Sequence, residues 1–261
     1  MNSKEKKTEA FGRLLDIMDE LREKCPWDRE QSFDSLRNLT IEETYELADA
    51  IMEKDINSIR KELGDLLLHI VFYSKIGSES GNFDIAEVCD SLCEKLVFRH
   101  PHVFGDTKVN DSQHVVENWE DLKIREGNKT VLGGVPTSLP AMIKANRIQE
   151  KARAVGFDWD EREQIWDKVN EELDELRQVI KEGTRESIED EFGDLFFSLI
   201  NAARLYQVDP ETALERTNKK FIKRFNYLEQ QTLHKGKSLR DMNLEEMNII
   251  WEQAKAFDDK V

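Results

Sequence analysis

Ten carboxylates recur in one order along this chain. Glu42, Glu43 and Glu46 are followed by Glu62 and Asp65, and Glu171, Glu172 and Glu175 are followed by Glu191 and Asp194. A shift of 129 residues superposes Glu42 to Leu66 on Glu171 to Leu195, with 12 of 25 positions identical. At about 100° per residue on a helix, Glu42, Glu43 and Glu46 fall in one sector, with Leu39, Leu47 and Ala50 within or beside it. Glu172 and Glu175 likewise share a face with Leu176 and Val179. Carboxylates on the inward margin of a helix are costly unless a cation or a hydrogen-bond donor meets them. Glu62 with Asp65, and Glu191 with Asp194, are i,i+3 neighbours on the following helix. Two antiparallel helices offering two or three carboxylates each to one point make an all-oxygen site suited to Mg²⁺, with Mn²⁺ as a substitute. The competing reading is a duplicated, purely structural acidic face. A di-iron bundle is disfavoured, because neither Glu43 nor Glu172 has a histidine three residues on.

The elements that must carry these acids are helical. Only 12 Gly and 5 Pro punctuate 261 residues. Apolar residues recur at three- and four-residue spacing, as in Ile59, Leu63, Leu66, Leu67, Ile70, Val71 and in Ile188, Phe192, Leu195, Phe196, Leu199, Ile200, with no alternating strand pattern of similar length. The connections between paired helices are short, around Asp55 to Ser58 and Gly183 to Ser187, with Gly183 suited to end a helix and Thr184 to cap the next. Short connections make antiparallel neighbours. Farther on, the offset changes to 125, aligning Lys95 and Arg99 with Lys220 and Arg224. That long offset indicates domain duplication and not a solenoid. The fold expected is all-α, with two duplicated helical-bundle domains at 1–125 and 141–261 joined by a Gly- and Pro-containing linker at 126–140.

Composition limits the partners. Lys plus Arg total 38 against 54 Asp plus Glu, a formal charge of −16, which argues against a polymeric nucleic-acid partner, since such binders present a basic face to the phosphates. A small phosphate ligand bridged by a divalent cation stays compatible. The longest apolar stretch, Leu66 to Tyr73, is broken by His69 and far short of the roughly 20 residues of a membrane span. The polar start, Met1 to Glu9, lacks the apolar segment of a secretory signal, and three cysteines cannot pair completely, so a reducing, cytoplasmic location is expected. Cys89 and Cys93, with His100 and His102, have spacing that a zinc site could use, but small thiols and a proline-turned loop explain the same residues. There is no P-loop, dinucleotide fingerprint or Gly-x-Ser-x-Gly elbow.

The spacing E-E-x-x-E, fifteen residues, E-x-x-D resembles the signature of the MazG family of nucleoside triphosphate pyrophosphohydrolases. Further stretches are similar to its two-domain members: Cys25-Pro26-Trp27-Asp28 with Gln31, Arg99 to Phe104, Gly133 to Pro140, Lys151 to Trp159, Lys220 to Arg224, and Glu245 to Lys255 around Trp251. The resemblance implies a Mg²⁺-dependent homodimer that hydrolyses ribo- and deoxynucleoside triphosphates to monophosphate and pyrophosphate, with low base selectivity, in nucleotide-pool housekeeping. It implies metal ligation by Glu172, Glu175, Glu191 and Asp194, with a second, weaker site at Glu43, Glu46, Glu62 and Asp65. Glu171 would orient the attacking water or act as base. The catalytic set is then Glu171, Glu172 and Glu175, and the nucleotide-binding set adds Lys168, Lys220, Lys223, Arg224 and Trp251. The resemblance places the main activity in the second half, with the first weaker, regulatory or differently selective; the first half also differs at the basic motif, where Lys95-Leu96-Val97-Phe98-Arg99 has one cation fewer than Lys220-Phe221-Ile222-Lys223-Arg224. A nucleotide-sensing or protein-binding module with little turnover is the alternative function.

Overall fold

The computed structural model describes residues 1–109, 115, 122, 130–234, 236 and 238–256. Among these residues every regular element is helical and no strand occurs, as the periodicity predicts. Packing divides the chain into two units, Met1–Lys108 and Val109–Val261. The expected linker begins at 126–129, outside the described residues. Residues 130–140 run as turns and bends into the next helix. We propose that the duplicated domains are 1–125 and 141–261.

The first unit contains α1 (Lys4–Lys24), α2 (Pro26–Glu30), α3 (Phe33–Glu53), α4 (Ile56–Glu79), α5 (Ile85–Arg99) and α6 (Pro101–Phe104). Its central pair is α3 against α4, with α1 and α5 also packed on α4. Local chemistry sets the boundaries. Ser32 and Ser35 form a reciprocal capping box at the start of α3, and the Asp55 carboxylate accepts from the Asn57 and Ser58 amides at the start of α4, satisfying donors a helix start leaves free. Gly77 is required by a close approach: a Cβ there would lie 2.8 Å from the Phe83 ring and 2.9 Å from the Phe83 carbonyl oxygen. Met18, Leu36, Val71 and Phe72 form the core, flanked by Leu15, Leu39 and Leu68.

The second unit contains α7 (Ala141–Ala154), α8 (Ile165–Glu182), α9 (Arg185–Leu205), α10 (Pro210–His234) and α11 (Leu244–Lys255). Here α8 pairs with α9, and α7 packs on both α9 and α10. The Val179 carbonyl accepts from the Gly183 amide at the end of α8, and Thr184 Oγ1 accepts from the Ser187 amide at the start of α9, so both boundary residues act as expected. A Cβ on Gly183 would lie 2.5 Å from Val179 Cγ1, so the tight passage between the helices also selects glycine. Ile165, Val169 and Ala202 form a buried cluster against Leu195 and Leu205.

The apolar stripes are only partly interior. Val71 and Ile200 are buried, but Leu63, Leu67, Ile70, Phe192, Phe196 and Leu199 stay exposed. Each central helix therefore carries two apolar faces, one turned to its own unit's core and one open.

Candidate metal site

The repeated acids meet in each helix pair. One carboxylate oxygen from each of Glu43, Glu46 and Glu62 lies within 4.8 Å of the other two, and the same holds for Glu172, Glu175 and Glu191. In each set two glutamates stand one turn apart on the first helix, and the third comes from the antiparallel partner. Burial differs within a set. Glu62 and Glu172 are 5% and 7% exposed, whereas Glu46 and Glu175 face solvent. Asp65 and Asp194, a turn beyond the third glutamate, act on the clusters electrostatically.

The fields in the two sets are alike. Burial pushes the Glu43 carboxyl above its ordinary value, reinforced by Glu46, Asp65 and Glu62 and opposed by Lys61. Burial likewise pushes the Glu191 carboxyl up, reinforced by Glu175, Asp194, Glu172 and Asp190. Like charges gathered beside a protein wall disfavour one another's ionised form. Glu62 Oε2 and Glu191 Oε2 are also buried without a hydrogen-bond partner. A hard divalent cation bound by oxygen ligands answers both the repulsion and the orphan oxygens, so the residues present fit Mg²⁺ or Mn²⁺. Cys89 and Cys93 are free and exposed, and neither belongs to a close donor group among the described residues.

Cations border both sets. Lys168 Nζ donates to Glu171 Oε1 at 2.9 Å and lies 2.8 Å from Glu172 Oε1; these contacts, led by Glu172, raise its pKa. Lys61 Nζ stands 3.0 Å from Glu62 Oε1, 3.7 Å from Asp65 Oδ2 and 4.0 Å from Glu46 Oε2. Lys61 stands outside the acidic motif, although the repeat contains its signal: it aligns with Asp190.

The expected nucleotide residues form a second assembly, on α10 and α11. Trp251 packs on Phe221, with ring centroids 5.0 Å apart at 56°, and the Arg224 guanidinium lies 5.8 Å from the Trp251 ring centroid. Lys223 and Arg224 line a hollow of about 340 Å³ with Asn226, Tyr227, Gln230 and Ala254. Lys220 belongs to the same helix. The Lys151–Trp159 stretch braces the unit. Gly156, at φ +86°, turns the chain after α7, and Asp158 accepts from Arg204 on α9 at 3.1 Å. Gln149, just ahead of it, donates to the Phe197 carbonyl at 2.9 Å.

A polar triad in the first unit has no forerunner in the motif reading. Thr40 Oγ1 is 2.7 Å from both His69 Nδ1 and the Tyr73 hydroxyl. The repeat places Val169, Ser198 and Ala202 at these positions in the second unit, so the triad belongs to one unit alone.

The model of the MazG nucleotide pyrophosphohydrolase domain matches residues 31–104 and 161–228. Both acid sets and the Lys220–Arg224 motif fall inside these stretches; Trp251 and Lys151–Trp159 fall outside. The nucleoside triphosphate pyrophosphohydrolase/pyrophosphatase MazG of Thermotoga maritima is 42% identical over 254 residues, which cover 95% of this chain and 97% of that protein. The nucleoside triphosphate pyrophosphohydrolase of Escherichia coli K12 is 40% identical over 254 residues, covering 93% and 96%. The uncharacterized protein YabN of Bacillus subtilis is 44% identical over 251 residues, covering 94% of this chain and 51% of that protein.

Proposed function

The chain belongs to the MazG family and is a nucleoside triphosphate pyrophosphohydrolase, and we propose that it acts with Mg²⁺ held by Glu172, Glu175, Glu191 and Asp194 on ribo- and deoxynucleotides alike. The observation that carries the metal assignment is the buried, unpartnered Glu191 Oε2 beside two further glutamates. When bound, the ion neutralises charge on the phosphate chain and favours attack by water at the α-phosphorus. The water oxygen bonds to the α-phosphorus as the α–β bridging P–O bond breaks, releasing monophosphate and pyrophosphate, and the proton that the water gives up passes to Glu171 or to solvent.

The chain's own groups do the rest. Glu171, exposed beside Glu172, orients the attacking water. Lys168, held by Glu171 and Glu172, and Lys220, Lys223 and Arg224 on α10 engage phosphate oxygens. Trp251 takes the base by stacking, an interaction that any base satisfies, which supports low base selectivity. The enzyme is a homodimer, supported by the open apolar faces of α9 and α10. It acts in the cytoplasm, a location supported by three free cysteines. The excess of acids supports monomeric nucleotides as its ligands and not nucleic-acid polymers.

Incubation with ATP, dGTP and UTP plus Mg²⁺, with the products resolved, tests this reading. Monophosphate and pyrophosphate, abolished by Asp194→Asn, are expected. Diphosphate with phosphate, or turnover unchanged in Asp194→Asn, rejects it.

A further inference from the structure

One position of the repeated site reverses its charge. At the 129-residue offset Lys61 aligns with Asp190, and each immediately precedes the glutamate whose Oε2 is buried without a partner. Lys61 Nζ lies among acids from both helices: Glu62 and Asp65 on α4 and Glu46 on α3. The first unit thus puts an ammonium against the carboxylates that a divalent ion would join. At the matching position the second unit has Asp190, which adds to the repulsion felt by Glu191. Its cation, Lys168, comes from the other helix of the pair and meets one carboxylate of the proposed metal set, Glu172 at 2.8 Å, beside Glu171, whereas Lys61 lies within 4.0 Å of three, Glu46, Glu62 and Asp65.

We propose that Lys61 is a resident counter-cation that competes with a divalent ion at Glu43, Glu46 and Glu62, and that the Lys61/Asp190 reversal makes the second unit's site fill first. The inference rests on the metal reading of both acid sets. An ammonium and a divalent ion that share carboxylates repel each other at ion-pair separations, so the ion must displace Lys61 or bind in its field. The Lys61 side chain is 66% exposed on a flexible stem, so it can swing into water, and its effect falls on affinity without closing the site. Glu62 Oε2 stays unpartnered beside it, so the ammonium leaves part of the site's demand for a cation unmet. Asp190 adds negative charge next to a ligand, which strengthens attraction for the ion without adding a ligand.

Binding of Mn²⁺ to the full chain, read from the electron paramagnetic resonance of free Mn²⁺ without nucleotide, tests this. Two classes of site are expected, the tighter one abolished by Asp194→Asn and so assigned to the second unit. Lys61→Gln should tighten the weaker class about tenfold, Asp190→Lys should weaken the tighter class by a similar factor, and Lys61→Arg should leave the weaker class as it is. Both positions are exposed, and metal-free melting curves confirm that each variant folds. Mn²⁺ affinities that ignore Lys61→Gln and Asp190→Lys overturn the inference and leave the metal reading standing. A tighter class that survives Asp194→Asn overturns the filling order. A parent chain that binds no Mn²⁺ overturns both readings.

Discussion

Glu62 and Glu191 hold the same place in two helix pairs, and each buries an Oε2 atom with no hydrogen-bond partner. At Glu62 an unmet acceptor of this kind costs of order 1–3 kcal/mol. Two units that differ at about half the positions of the repeat share this unfavourable feature, together with the two facing glutamates that make it worse. A cation bound at both places would turn the cost into affinity.

Replacing either glutamate by its neutral amide separates those two effects. Glu191→Gln should reduce turnover by about 100-fold or more, as loss of a metal ligand does, and should shrink the rise in Tm that Mg²⁺ produces. Without metal, its Tm should equal or exceed the parent's, because a buried charge in a repulsive field has been removed. Glu62→Gln also gives up the 3.0 Å ion pair with Lys61, so its metal-free Tm should fall below that of Glu191→Gln, and turnover should change much less. Differential scanning fluorimetry with and without Mg²⁺, beside pyrophosphate release, checks both; a metal-free Tm well below the parent's in Glu191→Gln would mean that its oxygen has a structural partner.

Trp251 is held from one side by Phe221 and faced by the Arg224 guanidinium. If the nucleotide base stacks there, Trp251→Ala should raise KM about tenfold, in line with roughly 1–3 kcal/mol per stacked base, while kcat changes little. Trp251→Phe should recover most of the loss, since a smaller ring still stacks. Steady-state kinetics with ATP and UTP decide the matter: a KM unchanged in Trp251→Ala makes Trp251 a packing residue of α11.

What the sequence made legible was chemistry with a fixed spacing. The acids Glu172, Glu175, Glu191 and Glu43, Glu46, Glu62 converge because helical geometry converts i,i+3 spacing and a short connection into proximity, and Gly183 and Thr184 mark that connection by their own conformational preferences. The direction of the apolar faces was not legible. Periodicity identifies Phe192 and Phe196 as apolar neighbours on a helix, yet it does not say which face of a two-faced helix its own unit covers. The Thr40–His69–Tyr73 triad was equally hidden, because its members are 29 and 33 residues apart and each alone is an ordinary helical residue. The Lys61/Asp190 reversal is a mismatch within the repeat, but only the fold brings the ammonium among the acids.

His69 gives the first unit a dependence on pH. It is 7% exposed, and burial pushes its imidazole below the ordinary 6.5 against a smaller upward pull from Asp65. The unfolded chain then binds the proton more readily than the folded one. The contribution of neutral His69 to stability is therefore full above about pH 6.5 and declines as pH falls from there towards the folded value. Melting temperatures taken from pH 7.5 down to 5.5 should fall more steeply for the parent than for His69→Gln, which keeps an acceptor for Thr40 but does not titrate. Parallel curves would show that His69 is as accessible to protons in the folded chain as in the unfolded one.

Phe192, Phe196 and Leu199 form an open stripe at i, i+4 and i+7 on α9, and Phe221, Ile222 and Phe225 add exposed apolar surface on α10. Phe196 is 58% exposed, in a unit whose core is filled from the neighbouring face of the same helix by Leu195 and Ala202, about 100° to 120° around the axis from Phe196. Contiguous apolar surface of this kind marks an association site, and a second copy supplies a matching apolar surface in a self-complementary arrangement. The parent should therefore run as a dimer by light scattering after size exclusion. Phe196→Glu should shift it to monomer with its helical circular dichroism intact, since an exposed side chain is not needed for the fold of the unit, whereas Phe157→Glu, an exposed change outside the stripe, should leave the dimer. A monomeric parent rejects self-association, and a dimer that persists in Phe196→Glu places the interface away from this stripe.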